Sequence, residues 1–425
     1  MLRRLSAVDA QTYWLSAKIP NDAFLLYAFA GEVPDLEPAL DVIRQRALAC
    51  PELRVRIEEG NPLRYPAWVT GPVGRDQFVV HDVADSSWAG CLAAVAALAE
   101  QQLDARRMAW QLHVFTPVEG VPGVGVGTVA VLQASHALAD GIRGSQLAAW
   151  LFGRAGQVPP VPAPPPFRGA ALPWRSFRAA RAHRQLTADM EAGLVPPQAD
   201  SRPVLRSNER PDGVRSIRTV VRNRDELTGP TVTVGVLAAV STALAGHLRE
   251  LGDDPSTLGA EVPMAKAGAR KANNHFGNVG IGLYPELDID ARTARIVEDM
   301  ADRRRRAAHP AMLAASRASA AVPAPLLRWG VKQFDPTLRS PTVTGNTVVS
   351  SVNRGAADLH FGDLPVVLTA GYPGLSPMMG LTHGVHGIGD TIAISVHAAA
   401  SAIGDVDAYV ERLERALGST VGSAG

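Results

Sequence analysis

Apolar and polar positions change period repeatedly along the chain, and each change marks an element boundary. Residues 24–30 form an unbroken apolar run closed by Gly31, the pattern of a buried strand. Leu36, Leu40, Ile43 and Leu48 recur near helical spacing behind Pro34 and Asp35, which predicts a helix over 35–49. Short strands are expected at 51–57 and 65–69, turning at Glu58-Glu59-Gly60-Asn61, and another at 78–83. An Ala/Leu-rich helix is expected over 87–102. Strands at 111–116 and 124–133 flank a Pro/Gly-rich loop, and the stretch from Val126 to Leu132 has period-2 character.

The pattern breaks between 156 and 211. Prolines in 158–166 rule out a continuous helix or a central strand there. Residues 167–194 are arginine-rich and partly helical in pattern, and Pro211-Asp212-Gly213 is turn chemistry. Beyond it a strand is expected at 216–221, a long helix at 231–251, strands at 258–264 and 279–284, and a helix at 293–308. Strands at 347–352, 366–370, 383–386 and 391–398 precede a closing amphipathic helix at 405–417. Strands interleaved with helices predict an α/β protein of two similar sandwich halves, residues 1–155 and 214–425, joined by a connector at 156–213. No internal repeat is visible as identity.

Composition changes this picture only by exclusion. A chain of 425 residues is too long for one ordinary core. With 46% hydrophobic and 20% charged residues it is globular, and a net charge of +1 gives no basic field for nucleic acid. Two cysteines suggest neither a disulfide framework nor a metal cluster and suit a reducing cytoplasm. No stretch of about 18 apolar residues predicts a transmembrane helix, and no apolar segment follows Arg3-Arg4 as in a signal peptide. Arg175, Arg178, Arg181 and Arg184 read as a solvated helix face or as a membrane-surface contact.

The candidate chemistry lies at the end of the 124–133 strand, in Gln133–Gly144, QASHALADGIRG. His136 is delivered there, followed by Asp140, Gly141 and a helix beginning by 145–152. A neutral imidazole is the side chain best matched to proton removal near pH 7. The glycine permits a sharp turn and close backbone approach. Ser135 lacks a Gly-x-Ser-x-Gly elbow and does not read as a hydrolase nucleophile. Gly120–Gly127 leads into a strand rather than a helix, so it is not a dinucleotide loop. His383, His386 and His397 lack interleaved acids, and no metal site is expected.

This His-x-x-x-Asp-Gly pattern resembles the acyltransferase superfamily of chloramphenicol acetyltransferase and the condensation domains of nonribosomal peptide synthetases. The opening MLRRLSAVDAQTYWL, the segment VPMAKAGARKANNHFGNVGIGLYPEL and the C-terminal VVSSVNRG run are similar to the bacterial wax ester synthase/diacylglycerol acyltransferase family. Ser135 stands where that family usually has a first histidine, Met108-Ala109-Trp110 replaces Pro-Leu-Trp, and Ser350–Gly355 replaces Ser-Asn-Val-Pro-Gly-Pro. The resemblance implies two chloramphenicol-acetyltransferase-like halves with an active site in the cleft between them. It implies an acyltransferase with His136 as general base, using an acyl-CoA or acyl-carrier-protein thioester as substrate and no cofactor. Asp140 and Gly141 would hold the motif loop, the carboxylate pairing with an arginine; Arg143, Arg270 and Arg354 are the candidates. Ser135, Asn278 and Ser351 are candidate lining residues, with a turn role the alternative for Asn278. Open alternatives are a carrier-protein donor with a hydroxyl or amine acceptor, and a catalytically silent scaffold. A carrier protein and a lipid or lipid-droplet surface remain candidate partners.

Overall fold

The computed structural model describes residues 2–164 and 171–418. The end of the proline run, Pro165 and Pro166, and the start of the arginine-rich stretch, 167–170, lie outside the described residues. Two mixed six-stranded sheets form the frame. In the first, Ala23–Ala30 lies between Leu364–Gly371 and Gly125–Ala134, with Trp110–Val121 and Phe78–His81 on one side and His360–Phe361 at the other edge. The second runs Phe276–Gly282, Gly259–Ala265, Thr347–Asn353, Leu381–Ile388, Thr391–Ala399, Arg215–Asn223.

The strand that leads to the motif is buried on both faces. Ala130, Leu132 and Ala134 join one core, with Trp110, Leu112 and Leu147. Val129 and Val131 join another, with Phe24, Leu26 and Leu92. Period-2 alternation between two apolar environments is why the run reads as almost continuously hydrophobic. Each fully buried Leu or Val in it is worth roughly 1.5–3 kcal/mol. The glycine-rich segment before it is the hairpin turn from Trp110–Val121, with Gly123 and Gly125 at positive φ.

The two halves exchange chain. Leu364–Gly371 follows the second-sheet strand Thr347–Asn353 but pairs antiparallel with Ala23–Ala30, Thr369 opposite Tyr27. The helix Trp88–Leu98 packs against Arg215–Asn223 of the other sheet. One core cluster accordingly mixes Phe24, Leu26 and Cys91 with Ile217, Tyr372 and Ala393. The helix Val232–Glu250 is the one among the described residues long and apolar enough to cross a membrane. It is a core element here, with Leu237, Val240 and Leu244 buried and the helix Val406–Gly418 against it.

Three ten-residue helices escape the hydrophobic pattern: Ala7–Ser16, Pro310–Ser319 and Ala324–Gln333. Their apolar stripes are short, and each starts from a local device instead. Ser6 Oγ accepts from the Asp9 N–H in the first, His309 caps the second, and prolines occupy the first turns of the second and third. The arginine-rich connector helix Ala171–Glu191 packs on Pro310–Ser319, with Asp189 3.0 Å from His309 Nε2. The motif helix begins at Gly141, four residues before the predicted 145, because the Asp140 side chain caps it.

Candidate active site

At the end of Gly125–Ala134 the chain leaves the sheet and turns through 135–140 into the helix Gly141–Leu151. The backbone of this loop is tied on both sides. The Ser135 N–H donates to Ala109 O at 2.9 Å. Asn273 Nδ2 donates to Ala137 O at 2.9 Å, and Asn274 Nδ2 to His136 O at 2.7 Å. Both asparagines are buried and are themselves held by Asp9, whose carboxylate accepts from the N–H groups of Asn273 and Asn274. Burial raises the Asp9 pKa, against the hydrogen bonds from Ser6, Asn274 and Asn273. The opening helix and the Asn-Asn segment thus clamp the histidine loop from across the fold. Hydrophobic periodicity is blind to such contacts; the buried Asp in an otherwise apolar helix face and the doubled Asn were the available signals.

Asp140 is 4% exposed and fully engaged. Oδ1 accepts from the Arg143 N–H at 2.9 Å and from Arg270 Nη2 at 3.1 Å. Oδ2 accepts from Arg270 Nη1 at 2.8 Å and from the His275 N–H at 2.9 Å. Of the three candidate arginines it is Arg270 that faces the carboxylate. The Arg143 guanidinium turns instead to Glu52, at 2.5 Å, and to Pro159 O. Arg354 lies elsewhere, as described below. Gly141 is not in a left-handed conformation; a Cβ there would come 3.1 Å from Val352 Cγ2, a tight approach between the two halves that favours a small residue.

His136 borders a cavity of about 1180 Å³ between the halves. Its Nδ1 is buried with no hydrogen-bond partner, which leaves Nε2 as the nitrogen a substrate can reach. The ring lies against Phe276, centroids 5.9 Å apart at 30°. Ser351 also borders the cavity and its Oγ accepts from Thr233 Oγ1 at 2.9 Å, so its own hydroxyl proton stays available. Asn278 lines the cavity from inside the strand Phe276–Gly282, not from a turn, and its Nδ2 donates to Glu261 Oε1. Ser135 does not reach the cavity. It is buried, 2% exposed, in the loop that follows the strand. Met378 and Met379 contribute to the lining. His383 and His397 are buried in the second sheet, and no metal-binding cluster occurs among the described residues.

One functional candidate was missed. Asp22, buried on the cavity wall, accepts from Gln102 Nε2, from the Leu103 N–H at 2.7 Å and from Gln133 Nε2 at 2.9 Å. Burial pushes its carboxyl up to about 6, opposed by these hydrogen bonds and by the nearby His136. Behind it His113 Nε2 meets Gln133 Oε1 at 3.0 Å, and His81 meets His113 at 2.9 Å. Nothing local to Pro20-Asn21-Asp22 hints at this burial, since it arises from a loop and a strand far along the chain.

A reachable imidazole in a large cavity between two lobes, on a loop fixed by an ion pair, can accept and return a proton for a substrate bound from either side. Two lobes of this kind make a chloramphenicol-acetyltransferase-like fold, the architecture shared by condensation domains. The sequence profile of the wax ester synthase/diacylglycerol acyltransferase catalytic domain matches residues 23–249, over half of the chain, and the protein belongs to that family. Among solved structures, the wax ester synthase/diacylglycerol acyltransferase from Marinobacter aquaeolei VT8 superposes with a TM-score of 0.62 at 16% identity, covering 97% of this chain and 98% of that one. A starter condensation domain of rhizomide synthetase, solved in complex with C8-CoA, gives a TM-score of 0.60 at 13% identity, covering 100% of this chain and 95% of that one. No curated protein matches the sequence.

Proposed function

We propose that the protein moves an acyl group from a coenzyme A thioester to a hydroxyl acceptor such as a long-chain alcohol or acylglycerol, with His136 as general base. The observation that carries this reading is the placement of His136 on the wall of a large cavity lined largely by apolar side chains such as Leu25, Leu327 and Val331. The imidazole Nε2 takes the acceptor hydroxyl proton as that oxygen attacks the thioester carbonyl. The tetrahedral intermediate collapses with cleavage of the C–S bond, and the proton returns from the imidazolium to the departing sulfur. Ser351 is the group proposed to donate to the oxyanion. Binding both substrates in one cavity supplies the rest, through orientation. The starter condensation domain solved with C8-CoA supports a CoA thioester as donor for this fold.

The test is release of free thiol from a long-chain acyl-CoA on addition of a hydrophobic alcohol. Release only from an acylated carrier protein, or only with an amine acceptor, would replace this reading by a condensation-like one. No release with any donor and acceptor would leave the silent scaffold.

We further propose that the cavity mouth meets a lipid surface. The helix Ala324–Gln333 places Leu327 and Val331 on the cavity and exposes Leu326 by 50% and Trp329 by 60%. Interfacial aromatics of this kind suit a headgroup boundary. Flotation with phosphatidylcholine vesicles should fall for Trp329→Ser; equal flotation of both proteins, or none, overturns this.

A further inference from the structure

Where the family's C-terminal motif has glycine, this chain has Arg354, and the structure buries it at the seam between the two sheets. It is 5% exposed and borders the same cavity as His136. Its Nη1 donates to Leu26 O at 3.3 Å and to Thr369 Oγ1, and its guanidinium lies over the Tyr27 ring, 4.9 Å from the centroid. All of these partners are neutral. Its Nε is buried without any partner, and the groups that favour its charge are the Tyr27 and Tyr372 hydroxyls; among the described residues no carboxylate forms an ion pair with it. An arginine cannot shed its proton at any ordinary pH, so the charge stays. A buried, unpaired charge is among the costlier features a fold can keep.

The surroundings are shaped for that charge. A Cβ on Gly371 would fall 2.9 Å from Arg354 Nη2 and 2.7 Å from His386 Cε1, and one on Gly384 would fall 2.8 Å from His386. Two glycines in adjoining strands of different sheets thus leave the room in which Arg354 and His386 sit. His386 also borders the cavity, and its Nδ1 is buried without a partner. Two buried nitrogens without a partner, Arg354 Nε and His386 Nδ1, therefore belong to side chains that meet the cavity at one place, and the first side chain is a fixed cation that no carboxylate among the described residues pairs with.

We infer that Arg354 is a carboxylate-recognition site within the substrate cavity, so that one of the two substrates carries an acid group, with His386 beside it as the neutral hydrogen-bonding neighbour. The inference rests on the reading of this cavity as the substrate cavity. A planar guanidinium with open N–H groups takes a carboxylate in paired hydrogen bonds, and the low dielectric of the seam strengthens them. The acid group belongs either to the far end of the acyl chain or to the acceptor. The occupied cavity would then complete an ion pair that the protein alone leaves half made.

The experiment uses the whole protein and needs no turnover in its first arm. Calorimetry measures binding of decanoate and of its methyl ester to the wild type, to Arg354→Met and to Arg354→Lys. Decanoate should bind the wild type roughly tenfold to hundredfold tighter than the ester, and both variants should lose most of that ratio. Equal binding of acid and ester to the wild type overturns the inference, and this comparison stands even if a variant does not fold. The second arm separates the sources by kcat/KM. Sebacoyl-CoA against decanoyl-CoA, with decanol as acceptor, tests the donor; ω-hydroxydecanoate against decanol, with decanoyl-CoA as donor, tests the acceptor. One of these ratios should favour the acid and drop in the variants. Turnover with no preference for the acid in either pair sinks the inference and leaves the proposed reaction intact. Acid-selective binding without any acyl transfer sinks the proposed reaction and leaves the site.

Discussion

Two arginines, one paired with a cavity-lining carboxylate and one lining the cavity itself, are held on opposite terms. Arg270 is matched: its guanidinium lies against both oxygens of Asp140, and the remaining capacity of that carboxylate is filled by two backbone N–H groups. Arg354 is unmatched: neutral oxygens, an aromatic face and a neutral imidazole surround it. The first arrangement is closed and can only hold the histidine loop in place. The second is open on the side of the cavity. Full satisfaction marks a group that works through rigidity, whereas an isolated deficit beside a cavity marks a group that waits for something to bind.

The largest expected effect concerns His136, on the wall of the same cavity as Arg354. His136→Ala should lower the transfer rate by about a hundredfold to ten-thousandfold, the usual worth of a positioned base. Its melting temperature should stay near that of the wild type, because the ring borders open space rather than a packed core. Initial rates read beside thermal melting check both halves. A variant that keeps most of its rate removes the base, and with it the reason for the closed corner to exist.

Asp140→Ala comes next and should act on stability. It strands Arg270, exposed by 20%, so the loss should lie toward the lower end of about 3–5 kcal/mol. It also uncaps the helix Gly141–Leu151, worth about 1 kcal/mol. Asp140→Asn should recover part of the fold, through the cap, but not the ion pair. Denaturant unfolding of the three proteins measures this. An Asp140→Ala protein as stable as the wild type yet inactive would move Asp140 from the frame into the chemistry.

How far the sequence alone carried this comparison depends on distance along the chain. His136, Asp140 and Gly141 are near neighbours in sequence, at the end of a strand whose alternation is plain, and they were legible together. Arg270 stood only among three candidates, since it meets Asp140 across 130 positions. The Asp9 contacts with Asn273 and Asn274 cross 264 and 265 positions and left no periodic trace. Arg354 was visible as a departure from a motif, but its isolation was not, because that depends on which residues the fold keeps away. The exchange of Leu364–Gly371 into the first sheet was hidden for the same reason: its apolar pattern fits a strand of either sheet.

A smaller effect tests a third buried charge on the same wall. The Asp22 carboxyl, pushed up to about 6 by burial, lies above its unfolded value near 3.9. Between about pH 4 and pH 6 the folded state therefore holds this proton more often than the unfolded state does. Stability should fall as pH rises through that window, by roughly 1 kcal/mol per unit at most, and stay lowered above it. Urea unfolding from pH 4 to pH 7 for the wild type and for Asp22→Asn isolates this contribution as a difference between the two proteins. A flat difference would mean that the donors Gln102, Leu103 and Gln133 fully offset the burial, which would place Asp22 with the closed corner.

The smallest expected effect is the sharpest for the comparison. Arg354→Met removes a buried guanidinium and leaves an apolar chain of similar length over the Tyr27 ring. The acceptors it gives up are not orphaned, because Thr369 Oγ1 itself donates to Leu26 O at 2.8 Å. No carboxylate is stranded, since none pairs with it. Replacing a buried charge by a well-packed apolar side chain is often neutral or stabilising, so unfolding free energy should change by no more than about 1 kcal/mol in either direction. Asp140→Ala and Arg354→Met both delete one charged group at the seam, and only the first leaves a partner behind. If Arg354→Met instead costs as much as Asp140→Ala, the guanidinium is a strut holding the strand Ala23–Ala30 to the seam through Leu26 and Thr369, and the two corners differ in geometry but not in kind.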